Sequence, residues 1–259
     1  MHEYLKGVGI AVVALLNQVT FAETSAVDSP LMPVYEQKIN GVQYAFFRAK
    51  PSQVSFHWKD EQGQAYQQLS NLKKALDTRH QSALMLMNAG IFSEDLTPAG
   101  LWIERGKTLK TLNTKSGTGN FHMQPNGVFS IEKVEGGYEA FVRTTQDYQK
   151  SHVKPEFAVQ SGPMLVIDGA INPRFKANNM HSYKRNAVCT TAMGELLFAM
   201  TVSYEERWPN LYELATALQQ QGCNNALYLD GSISSWYVKD YANTFHWSEF
   251  VGMIAVTTP

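Results

Sequence analysis

The chain has 259 residues, a formal net charge of -1 and 44% hydrophobic residues. That balance excludes a strongly basic nucleic-acid binder and an acidic disordered chain. The length is ample for a sizeable core in one domain or two small ones.

The first element is a short apolar run, Gly7 to Leu16, preceded by Lys6 and followed by Thr20-Phe21-Ala22. Small residues before a cut after Ala22 (or Ala26) read as a secretory signal peptide over 1–22. The run is shorter than the roughly 20 apolar residues that a spanning helix needs, and no later stretch is long enough either. An uncleaved anchor is the alternative, because Glu3 offsets Lys6. Export puts the mature chain in the periplasm or the medium, with no stable membrane span after cleavage. There Cys189 and Cys223 are compatible with one disulfide or with two buried thiols. Residues 23–40 read as a mobile lead-in and 41–259 as the folded domain.

Alternating aromatic-rich strands are expected at Val42–Arg48 and Val54–Trp58. Helical spacing follows over 66–79, with Tyr66, Leu69, Leu72 and Leu76 on one face. The continuous apolar run Ala83–Met87 reads as a buried strand ending in Asn88-Ala89-Gly90. Hairpins are expected about Arg105-Gly106-Lys107, Gly136-Gly137 and Gly194. Residues 113–127 form a long Gly/Asn-rich loop, and 144–156 a short helix or a loop. Gly162-Pro163 breaks the strand that begins at Phe157. Pro209 opens a helix carrying Leu211, Leu214, Ala215 and Leu218, closed by Gly222. Asn225–Asp230 is a buried strand that ends abruptly at Asp230-Gly231, before Ser232, Ser234 and Ser235. Val251–Val256 is the last strand. Many strands and two clear helices predict an α+β single domain with a mixed or antiparallel multi-stranded sheet.

The informative feature is a recurrence: buried strands that meet polar, glycine-marked loops. They are Asn88-Ala89-Gly90, Gln160-Ser161-Gly162, Lys184-Arg185-Asn186 at a strand start, and Asp230-Gly231. Convergent ends would gather an amide, a cation, hydroxyls, a carboxylate and backbone N–H groups. That set suits an anionic or polyhydroxyl ligand. Each member also has an ordinary structural reading as a cap, an edge charge or a turn former, and Trp102 and Trp236 read as core. There is no P-loop, Rossmann fingerprint, nucleophile elbow or metal-ligand spacing in the sequence.

In this order, four pieces resemble the phosphodiester glycosidase family from about Ala83 to Val256. They are Asn88 to Phe92, Gln160 to Leu165, Arg185 to Val188, and Asn225 to Gly231 with Ser234-Ser235. The stretch Gly119 to Phe129 resembles an exported bacterial branch, members of which are often linked to exopolysaccharide. The family commonly has Asn-Gly-Gly at 88–90 and Asp-Gly-Gly-Gly-Ser at 230–234. Here Ala89, Ser232 and Ile233 depart from it. The resemblance implies hydrolysis between a sugar's anomeric carbon and a phosphodiester oxygen; the residues themselves suggest no cofactor, no metal box and, by charge, no nucleic-acid partner. Asp230 would act at the anomeric centre, Arg185 on the phosphate, and Glu94 as a reserve carboxylate. Asn88, Ser161, Ser234 and Ser235, with the backbone at Gly90, Gly162 and Gly231, would position the sugar phosphodiester. A non-catalytic envelope protein that binds a phosphorylated glycan is the alternative, and a structural interaction protein is a third reading.

Overall fold

The computed structural model describes residues 33–202, 207–241 and 248–258, besides Met1. The expected signal peptide, and residues 23–32 of the expected lead-in, lie outside the described residues.

In chain order the elements are β1 (Val34–Ile39), β2 (Val42–Ala49), β3 (Val54–His57), α1 (Leu69–Thr78), β4 (Ala83–Asn88), β5 (Trp102–Glu104), β6 (Lys107–Lys110), β7 (Gly127–Val134) and β8 (Gly137–Thr144). Then follow α2 (Thr145–Ser151), β9 (Phe157–Ser161), β10 (Met164–Ile167), β11 (Ala170–Ile171), β12 (Asn186–Thr191), β13 (Leu196–Thr201), α3 (Leu211–Gln220), β14 (Cys223–Asp230), β15 (Trp236–Val238) and β16 (Met253–Thr257). They form three antiparallel sheets where the sequence suggested one. The first has the order β1-β2-β13-β12-β14-β10-β11, the second β15-β4-β16-β3, and the third β6-β5-β9-β7-β8. The fold is α+β within residues 32–259.

Residues 34–39 correct the expected lead-in. They pair with β2 from Val34–Phe47 to Ile39–Val42, so this segment belongs to the first sheet. The turn is Asn40-Gly41, both at positive φ (50° and 77°), which matches the right-handed twist of a two-residue hairpin. An Asn-Gly pair is a hairpin signal that the expected lead-in left unused.

Alternation along the strands builds the layers. One face of the first sheet presents Tyr44, Phe46, Ala187 and Ala226 to α3, whose Leu211, Leu214 and Leu218 form a buried stripe. Each fully buried leucine contributes about 1.5–3 kcal/mol relative to exposure. The opposite face, with Phe47, Phe198, Leu227 and Leu229, packs on the second and third sheets through Phe56, Trp102, Phe129 and Trp236. Both tryptophans are core, at 1% and 0% exposure. The outer face of the second sheet is covered by Leu69, Leu72 and Leu76 of α1. Thus the junction of three sheets forms the centre of the molecule, and strand ends from all three emerge together.

Cys189 of β12 and Cys223 of β14 form a disulfide, with Cα atoms 5.8 Å apart on neighbouring strands. It closes a 34-residue separation that contains β13 and α3.

Candidate active site

Asn88 ends β4 in the second sheet, and Asp230 ends β14 in the first. Their side chains meet: Asn88 Nδ2 donates to Asp230 Oδ2 at 2.6 Å. Asp230 Oδ1 accepts from its neighbour Gly231 N at 2.6 Å. The chain then crosses between sheets, through a turn closed by Ser234 N to Gly231 O (2.7 Å), and enters β15 beside β4. The expected strand-and-loop geometry at Asp230-Gly231 is therefore a passage from one sheet to another. β15 then holds the loop's far end against the strand that carries Asn88.

Asn88 is 1% exposed, and its amide is fixed in one orientation. Its Oδ1 accepts from Ser235 N at 2.8 Å and from Asn186 Nδ2 at 3.2 Å. Asn186 Nδ2 also donates to the Asn88 carbonyl at 2.8 Å. With the amide oxygen taken by two donors, the amide nitrogen must face the carboxylate. Asn186 sits opposite Asp230 at a bulge, where the register shifts between Asn186 and Ala187. Its own Oδ1 is buried with no partner among the described residues, as is the Ser234 hydroxyl.

The third sheet contributes Ser161, whose buried hydroxyl donates to Leu229 O at 3.1 Å. After it, a cis Gly162-Pro163 bond turns the chain. Gly90, at φ 77°, takes a backbone conformation that side chains disfavour, and a Cβ there would press on Val159. Gln160 holds the long loop over 113–127. Its Oε1 accepts from Leu101 N and Asn113 N at 3.1 and 2.8 Å, and its Nε2 donates to Asn113 O. Asn126 Nδ2 then donates to Phe121 O at 3.0 Å.

Beside these elements lies an open cavity of about 340 Å³, lined by Asp230, Gly231, Ser232, Tyr228, Tyr183 and the loop residues Thr118 to Phe121, with Ile91 at its side. Asp230 is the one charged side chain in this lining among the described residues. The residue retains partial exposure, yet protein atoms displace most water from its carboxyl group. That burial pushes its pKa from 3.8 up to about 6, against the pull of the Gly231 and Asn88 hydrogen bonds. Two cavities of similar size around His57 and Arg105 contain no residue of the four motifs.

Arg185 is not in the cavity lining. It is 2% exposed, and its guanidinium donates to Pro209 O, His181 O and the Tyr228 hydroxyl at 3.0, 3.0 and 3.1 Å. Glu94 is exposed in a surface loop and does not line the cavity. The structure thus sets Asn88, Ser161, Ser234 and Ser235, all buried, with Gly90 and Gly162 in the frame behind the cavity, whose lining contains only Asp230 and Gly231 of the expected site residues. It leaves Glu94 apart and sets Arg185 behind the wall. Tyr228, Asn186 and Asn120 were missed as site residues. Tyr228 lies two positions before Asp230 on one strand, a spacing that points both to the same side.

Comparison with known proteins follows the same residues. The sequence profile described as phosphodiester glycosidase matches residues 81–256. The uncharacterized protein YigE of Escherichia coli (strain K12) is 34% identical over 253 residues, covering 97% of this chain and 92% of that protein. The solved catalytic domain of zebrafish N-acetylglucosamine-1-phosphodiester alpha-N-acetylglucosaminidase, auto-inhibited by its pro-peptide, has a similar fold. Its TM-score is 0.60 at 17% identity, over 87% of this chain and 82% of that one. A hypothetical protein from Synechocystis aligns with a TM-score of 0.57 at 14% identity, over 87% of this chain and 61% of that one. By the profile that spans the four motifs and the sheets that carry them, the chain belongs to the phosphodiester glycosidase family.

Proposed function

We propose that this protein is an exported hydrolase that cleaves the glycosidic bond of a sugar-1-phosphodiester, in envelope or exopolysaccharide glycan metabolism. The observation that carries the reading is the desolvated Asp230 carboxylate, held by Asn88 at the wall of a cavity of about 340 Å³. Such a volume accommodates a sugar and part of its phosphodiester. A phosphate leaving group departs as a weak base, so the second carboxylate of an ordinary glycosidase is dispensable. That fits a cavity with one carboxylate and with Glu94 elsewhere. With a pKa near 6, Asp230 is ionised at neutral pH and is a stronger base than an ordinary aspartate. It takes a proton from the attacking water while Asn88 keeps its orientation. The backbone around Gly90, Gly162 and Gly231, with Ser161, Ser234 and Ser235, holds the frame. Arg185 acts on the phosphate through its charge. The disulfide and the apolar run at 7–16 support export.

The test is a hydrolysis panel of sugar-1-phosphodiesters, with a sugar-1-phosphate monoester and an aryl glycoside as controls. Sugar release from the diesters alone, lost in Asp230→Asn, is expected. Near-full turnover by that variant would remove Asp230 from the chemistry. Early NMR spectra of the released sugar separate direct water attack, with inversion, from a covalent intermediate, with retention.

One observation favours a second reading. Ser232 lines the cavity where the family commonly has glycine, and among the described residues no cationic side chain lines it. A periplasmic binding protein for a phosphorylated glycan would show the same pocket, and would bind the diesters with no sugar released.

A further inference from the structure

The buried cation behind the cavity wall has neutral partners among the described residues. Among the described residues, Arg185 makes hydrogen bonds to two carbonyls and one phenol, and no ion pair. Its guanidinium carbon lies 5.5 Å from the Tyr183 ring centroid and 5.4 Å from that of Tyr228. Both rings line the cavity, whereas Arg185 does not. A guanidinium with neutral partners keeps its full charge in a place where water screens it poorly. The two tyrosine rings stand between it and the cavity.

Tyr228 is the directed link. Its hydroxyl oxygen accepts from Arg185 Nη1 at 3.1 Å, and Asn120 lines the same cavity. With the guanidinium donating to the oxygen, the hydroxyl hydrogen is left to donate elsewhere. The oxygen packs over Gly231, since a Cβ placed there would lie 2.6 Å from it. The donor thus stands beside the loop that begins at Asp230. A side chain at position 231 would displace that hydroxyl.

We propose that Tyr228 is a catalytic residue, with Arg185 its positioning residue: the tyrosine donates its O–H to the phosphoryl oxygen that leaves the anomeric carbon. This rests on the glycosidase reading above. In the step, the bond from the anomeric carbon to the phosphoryl oxygen breaks and its electron pair stays on that oxygen. The oxygen of water bonds to the carbon, and the proton of water passes to Asp230. Tyr228 keeps its proton. Its hydroxyl pKa is pushed up to about 12 by burial, with Arg185 pulling it down and Asp230 adding to the rise. Its contribution is therefore a polarised hydrogen bond aimed at developing negative charge.

The experiment uses the full mature protein and the methyl diester of N-acetylglucosamine 1-phosphate, with its glucose and mannose counterparts. Tyr228→Phe, which keeps the ring, is compared with the unaltered chain for turnover. Binding is measured by calorimetry with both in the Asp230→Asn background. Expected are a melting temperature close to that of the unaltered chain and a fall in kcat/KM of about 100-fold, the usual loss for one such donor. Arg185→Lys is expected to add less than about 3-fold on top of Tyr228→Phe, because residues that act through one group are non-additive. Should Arg185→Lys not fold, Tyr228→Phe decides alone. Unchanged turnover and binding in Tyr228→Phe would overturn the proposal and leave the glycosidase reading standing. Binding without turnover in the unaltered chain, weakened about 10-fold or more by Tyr228→Phe, would overturn hydrolysis and keep the tyrosine contact. Neither turnover nor binding across the three diesters would overturn both.

Discussion

At the scale of the residue, the site depends on one carboxyl group kept from water. Replacing Asn88 by alanine removes the hydrogen bond to the charged form of Asp230, a bond worth about 1.5–3 kcal/mol when charge-assisted. The carboxyl pKa should then rise above 6, moving the acidic limb of the kcat/KM profile up by roughly one to two pH units. A pH–rate profile of Asn88→Ala checks this, and an unmoved limb would mean that another group sets it. The same carboxyl costs stability at neutral pH. Its native form holds a proton up to about pH 6, its unfolded form only up to about 3.8. Raising the pH through that window therefore removes protons from the native state at higher pH than from the unfolded one, and stability falls. Asp230→Asn lacks this titration, so its stability relative to the unaltered chain should improve by about 1–2 kcal/mol from pH 5 to pH 8. Denaturant melts at the two pH values measure it.

At the scale of the element, Asn210 shows how a helix cap serves the cavity wall. Its Oδ1 accepts from Glu213 N at 2.9 Å and starts α3, completed by Glu213 reaching back to Asn210 N. Its Nδ2 donates to Ala177 O and Asn179 O, which tethers the segment leading to Tyr183. Asn210→Ser retains a capping oxygen and loses both tethers. The expected outcome is a change in melting temperature of only a few degrees with a clear rise in KM. Asn210→Ala, lacking the cap as well, should cost about 1–2 kcal/mol more. A KM unchanged in both variants would show that the tether does not shape the cavity.

At the scale of the whole molecule, three sheets meet at one junction, and the disulfide keeps two of the central strands in register. β12 and β14 carry Asn186 and Asp230 near their ends on one side and the Cys189–Cys223 bridge toward the other. Replacing both cysteines by alanine should cost about 3–4 kcal/mol, by closure of a loop of this length. That lowers the melting temperature by about 10 °C in a domain of this size. Below that melting temperature, turnover should stay near normal, because the bridge touches no atom of the site. Equal melting temperatures in oxidising and reducing buffer would refute the contribution of the bridge.

Much of this molecule is local, and the local part was readable in the sequence. Strand and helix positions follow from apolar period and from turn residues, so β4, β14, α1 and α3 stand where Ala83–Met87, Asn225–Asp230, the leucine stripe and Pro209 placed them. The polar residues that close those strands, Asn88 and Asp230 among them, were visible as breaks in apolar runs. The sequence also carried the Asn40-Gly41 turn, which the expected lead-in over 23–40 did not use. Which distant residues touch is decided by sheet order and register, quantities with no local signature. Only the tertiary structure could join Asn88 to Asp230 across two sheets and Cys189 to Cys223 across two strands. It alone turned Arg185 inward against Tyr228, because a charged residue entering a strand has the same sequence whether its side chain meets solvent or a buried phenol.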